Sequence, residues 1–208
     1  RVSYTLHNGK TSQAPVFEFA VESPVTVADA TSPDPEHIVT AVRDRSGDIA
    51  SWGWIAYQLA PGDGATNLSY EATGLPGFVR YRVLPYTETP VAGESGIVIA
   101  DETDATGPRF EGNGREFRLG RTVGIVAVPA GASDEALRER LGGLLGEACT
   151  LGWIDSRGIC NSLRVKLRDT KGGLRAMQHE LDAQRGKHVN EAAYALLYPN
   201  VTWLLSRR

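Results

Sequence analysis

Near residue 130 the hydrophobic repeat of this chain changes from about two to about 3.6, and that change limits the fold more than any other feature. Before it, apolar residues alternate or cluster in short β-branched runs. Val2-Ser3-Tyr4-Thr5-Leu6 and Phe17-Glu18-Phe19-Ala20-Val21 alternate, and Ile38-Val39-Thr40-Ala41-Val42 is β-branched. Further runs begin at Trp52, Leu68, Val79, Ile97 and Val123. Turn residues separate them, as at Ser32-Pro33-Asp34-Pro35, Pro61-Gly62-Asp63-Gly64, Gly74-Leu75-Pro76-Gly77 and Gly112-Asn113-Gly114. Short strands with no amphipathic helix between them predict a β-sandwich or barrel, and we expect a sandwich over residues 1–130.

After Pro129-Ala130-Gly131-Ala132 the spacing is helical. Ser133 caps a segment whose Leu137, Leu141, Leu144, Leu145 and Ala148 form one stripe. Asp155 or Ser156 caps a second, with Ile159, Leu163 and Leu167 inward. A third carries Leu174, Met177 and Leu181, and Gly186 suits a left-handed end for it. Asn190 opens a fourth, which Pro199 is expected to stop or kink before Trp203. Together these predict an α+β chain: an N-terminal all-β sandwich followed by a small helical bundle over residues 133–208.

Charge changes at the same place. Residues 1–132 carry ten Lys and Arg against 16 Asp and Glu, and residues 133–208 carry 12 against nine. The whole chain is at −3, which offers no global field for nucleic acid, so no nucleic-acid partner is expected. It is 41% hydrophobic but has no apolar run of about 18 residues, which excludes a helical membrane span. Its start at Arg1 reads as a processed chain or a piece of a longer one. Cys149 and Cys160 can be free thiols or a disulfide. The disulfide is favoured, because the two fall on adjacent helices joined by one tight turn, and it points to a secreted, extracellular protein.

No catalytic motif stands out. G-x-S-x-G, the Walker A loop and G-x-G-x-x-G are missing, and position 183, four after His179, is Ala183 rather than a second zinc-ligating His. His188 is placed to shield a helix C-terminus. Trp52 and Trp54 point the same way along one strand and Tyr57 the other, so the three are the candidate ligand-binding residues. The Trp pair is either a platform for sugar rings or part of the sandwich core. Asp101 and Asp104 follow an apolar strand and could hold a structural calcium ion, though without EF-hand spacing; Asp29, Asp34 and Glu36 fall in a Pro-rich loop. No other cofactor is expected. Arg164, Lys166, Arg168 and Lys171 form a basic face, either solvated or turned to an acidic partner.

Gly158-Ile159-Cys160-Asn161-Ser162-Leu163 and His179-Glu180-Leu181-Asp182-Ala183-Gln184-Arg185-Gly186-Lys187-His188-Val189 resemble the signature of the FIMAH-type helical domain, over residues 145–205 or so. That module is an appendage of secreted bacterial enzymes and surface proteins, so the resemblance implies secretion and an accessory role. The expectation is a non-catalytic binding or surface protein, recognising an extracellular glycan or cell-wall polymer. The alternative is a protein–protein or self-associating module, such as the tail of a larger secreted enzyme.

Overall fold

Within a computed structural model that describes residues 1–43, 48–54, 58–86 and 118–207, strands precede helices as the periodicity requires. The strands are β1 (Val2–His7), β2 (Val16–Ser23), β3 (Val27–Thr31), β4 (Ile38–Arg43), β5 (Asp48–Trp54), β6 (Gly64–Ala72), β7 (Leu75–Pro85) and β8 (Arg118–Val126). The helices are α1 (Asp134–Thr150), α2 (Arg157–Arg168), α3 (Gly173–Gln184) and α4 (Glu191–Ser206). The fold is α+β. The strand expected at Ile97 and the hairpin at Gly112-Asn113-Gly114 lie outside the described residues.

One sheet runs β1-β6-β3 and the other β4-β5-β2-β7-β8. Strand β6 pairs antiparallel with both neighbours, as β5 does with β2 and β4. Aromatic rings bring the two sheets together. Tyr4 on β1 meets Phe19 of β2 at 5.6 Å and Trp52 of β5 at 5.9 Å, both edge-on, and stacks on Tyr70 of β6 at 6.1 Å. The Trp52 indole N–H donates to the Thr31 carbonyl at 3.0 Å, which satisfies a donor that burial would otherwise strand.

Strand β3 was not expected from the sequence. Only Val27 and Ala30 of its five residues are buried, too few to show a period. Its position depends on distant partners: Val27 N–H donates to the buried Asp48 carboxylate, and Ala30 lies opposite Tyr70. Asp29 therefore sits on a strand opposite Glu71 and not in a loop.

The chain divides into two compact units, Arg1–Ala72 with Arg80–Gly120, and Thr73–Val79 with Arg121–Arg208. The change at 130–133 marks the start of α1, but the units part elsewhere, because the first half of β7 and most of β8 go with the helices. Val123 of β8 belongs to the helical core, and the Phe78 ring lies 5.1 Å from Trp153. Pro76 contributes a carbonyl that accepts from Asn200 Nδ2 at 2.9 Å and Arg140 Nη2 at 3.3 Å.

Three of the four helices start at a side-chain cap, while α3 starts after Gly172 without one. Ser133, Ser156 and Asn190 accept from the backbone N–H three residues on, at 3.2, 3.4 and 2.9 Å. Buried Leu141, Leu145, Leu163, Met177, Leu181, Leu196 and Leu197 fill the bundle, each worth about 1.5–3 kcal/mol in transfer free energy. Gly173 opens α3 hard against α2, where a Cβ would lie 1.9 Å from the Lys166 carbonyl oxygen.

Helix α4 runs through Pro199, so of the expected stop or kink the stop does not occur. Pro199 has no N–H for the Ala195 carbonyl, and one residue on the Asn200 side-chain amide donates to the Leu196 carbonyl at 2.7 Å.

Candidate functional site

Two turns shape an open depression of about 280 Å³. One joins α1 to α2 and supplies Gly152, Trp153 and Asp155; the other joins α3 to α4 and supplies Gly186 to Glu191. Gly152, at φ +70°, closes α1 in a Schellman turn, with Trp153 N–H donating to the Ala148 carbonyl at 3.0 Å. Gly186 ends α3 at the same φ, as its position in the sequence predicts.

Backbone bonds then lock the turns together. Asp155 N–H donates to the His188 carbonyl at 3.1 Å, and Asn190 N–H to the Trp153 carbonyl at 3.0 Å. Beneath them the Cys149–Cys160 disulfide joins α1 to α2 across 6.2 Å between Cα atoms, which removes the free-thiol alternative. In the chain-entropy model a loop of this size contributes roughly 3 kcal/mol. The rim is therefore braced before any ligand arrives.

Exposed charge surrounds the rim. His188 Nδ1 lies 2.7 Å from the Asp155 carboxylate, and both side chains are more than half exposed. The expected place of His188 at the end of α3 holds for its backbone, whose N–H reaches the Gln184 carbonyl at 3.1 Å, while the ring turns to Asp155. Glu191 is gripped by the Arg185 guanidinium through bonds of 2.7 to 3.1 Å, which holds its carboxyl below the usual range. Arg185 also lies 4.3 Å above the Tyr194 ring, whose other neighbour is Tyr198 at 4.7 Å. Burial, and then the Asp182 acceptor 2.7 Å away, push the Tyr194 hydroxyl up to about 12.

The residues singled out in the sequence fall elsewhere. Trp52 and Trp54 are 0% and 2% exposed, so both are core residues and neither offers a face to a sugar. The core alternative for this pair is the one the packing supports. Tyr57, Asp101 and Asp104 lie outside the described residues, which among themselves hold no group of three or more metal-ligating side chains. Asp34 is engaged by His37 at 2.9 Å. On the basic face, Lys166 is tied to Glu180 and to Ser162, each at 2.8 Å.

The depression escaped sequence reasoning because its halves are more than 30 residues apart in the chain. One signal was legible: Gly152 and Gly186 each precede a short polar–aromatic or polar–basic turn that leads into a cap. No family model, curated protein or solved structure matches the chain, so function is argued from this geometry.

Proposed function

We propose that the protein is a non-catalytic binding module of the cell exterior, and that it takes a glycan or cell-wall polymer at the depression between the α1–α2 and α3–α4 turns. The observation that carries this reading is a half-buried Trp153 beside Asp155, His188, Lys187 and Glu191, on turns braced by a disulfide. An indole with polar groups at its edge suits a sugar, which has apolar C–H faces and hydroxyls around them. A braced rim lowers the ordering cost of binding. Nothing at the rim is placed as an activated nucleophile, so recognition fits better than turnover. The disulfide supports an oxidising compartment, and the FIMAH resemblance over residues 145–205 an accessory role.

The test is retention on insoluble chitin, cellulose and peptidoglycan. Wild type should bind at least one of them, and His188→Ala with Lys187→Ala, both outside the helices, should weaken that binding at unchanged thermal midpoint. Passage through all three by wild type, or equal retention of the variant, overturns the reading. Concentration-dependent oligomers without glycan retention would favour the self-associating alternative.

A further inference from the structure

Helix α2 contains Arg157, Arg164, Lys166 and Arg168 and no acidic residue, in a chain whose net charge is −3. Its buried side is Cys160, Leu163 and Leu167. Arg157, Asn161, Arg164 and Arg168 recur at i, i+4, i+7 and i+11, so they form one stripe along the flank of the helix beside that core, with Arg157 and Arg168 exposed and Arg164 half-buried. At 1.5 Å rise per residue, Arg157 and Arg164 are separated by roughly 10 Å along the axis and Arg164 and Arg168 by about 6 Å.

The neighbouring charges leave this row positive. Glu180 of α3 is taken by Lys166 rather than by a stripe arginine. Asp155 lies against His188, and Asp169, which accepts from the backbone N–H of Lys171, keeps its charge beside Arg168; Glu180, Asp155 and Asp169 together still fall short of Arg157, Arg164, Lys166, Arg168 and Lys171. Arg164 bonds to the neutral Asn161 at 3.4 Å. Lys171 follows the helix, and between the arginines Val165 is 67% exposed, an apolar contact in the middle of the row. None of the stripe residues lines the depression.

From this we infer a second binding surface: the Arg157/Arg164/Arg168 stripe of α2 docks a linear anionic polysaccharide, one bearing sulfate or carboxylate groups. Guanidinium forks match such groups in geometry and remain charged at any physiological pH. A straight row of cations along a helix fits a chain with repeating anions better than a single small anion. No aromatic ring stands in the stripe to stack a base, which disfavours single-stranded nucleic acid. Local attraction also prevails over the negative total, because screening confines each charge to roughly 8–10 Å.

Immobilised heparin is the probe, with the full disulfide-bonded chain loaded at low salt and eluted in a sodium chloride gradient. The expected result is retention, with the Arg164→Gln/Arg168→Gln variant eluting at clearly lower salt and binding on the order of tenfold more weakly. The slope of log affinity against log salt should fall by between about one and two. Arg168 is exposed and Arg164 half-buried, neither is among the buried residues of α2, and an unchanged thermal midpoint confirms that the variant is folded. The Arg1→Gln/Lys10→Gln variant, which loses the same charge elsewhere, should elute with wild type. Absence of retention, or equal shifts for the two variants, overturns the inference. Tighter retention on immobilised duplex DNA or poly-glutamate than on heparin overturns the assignment to a polysaccharide.

Discussion

Tyr194 shows how much a single residue's chemistry depends on neighbours that sequence spacing only partly supplies. Tyr198 is one turn along the same helix, whereas Asp182 and Arg185 come from the preceding helix and its end. Burial and the Asp182 carboxylate both favour the neutral phenol, so its folded pKa lies above the unfolded value of about 10. The sign of the linkage follows: the contribution of this group to stability is complete below pH of about 10 and is lost as pH rises toward about 12. Subtracting a Tyr194→Phe titration from wild type, followed by tyrosinate absorbance, should isolate one late-ionising phenol. Asp182→Asn should move that phenol down toward the ordinary value. A difference curve centred at the ordinary value in wild type would refute the contact. At the same scale, Trp52 was readable from sequence as an aromatic on a strand but not as core or surface. Its face was decided by Tyr4 and Phe19, on other strands.

Three of the four helix starts were legible, since caps are local; α3, which follows Gly172 without a side-chain cap, was not. Ser133, Ser156 and Asn190 stand where the backbone N–H groups need acceptors. Pro199 does not stop α4: its missing N–H leaves the Ala195 carbonyl without its usual helical donor, while the helix continues to Ser206. Pro199 is exposed in α4, so replacing it removes little packing. Pro199→Ala should therefore restore a helical N–H and raise stability by about 1–2 kcal/mol, seen as a higher denaturant midpoint. A lower midpoint would mean that the α4 geometry around Pro199 is required by its packing. Strand β3 is the opposite case, an element with almost no local signal that exists because β6 and Asp48 offer it partners.

At the scale of the whole molecule, the compact units are interleaved along the chain, and this has consequences for dissection. Residues 73–79 belong with the helices although about 40 residues separate them from β8. A fragment of residues 121–208 keeps every helix but loses Pro76 and Phe78. Asn200, 3% exposed in the intact unit, would then lose one of its two amide acceptors, Arg140 the Pro76 carbonyl, and Trp153 its ring partner. An unsatisfied buried polar group costs about 1–3 kcal/mol, so the fragment should be helical yet melt well below the helical transition of the full chain. Equal midpoints would show that the strand contributes nothing to the helical unit.

Local pattern was enough for the class of each half, the four helices and the caps at Ser133 and Asn190, and it favoured the pairing of Cys149 with Cys160, because periodicity, capping and short-loop closure are properties of neighbouring residues. Tertiary structure alone decided which aromatics are core, that the division of the fold does not follow the change of period, and that Trp153, Asp155, Lys187 and His188 share one depression. Those outcomes depend on contacts between residues tens of positions apart. Their energies come from burial and from satisfying polar groups in three dimensions, and neither quantity is defined until the chain has folded.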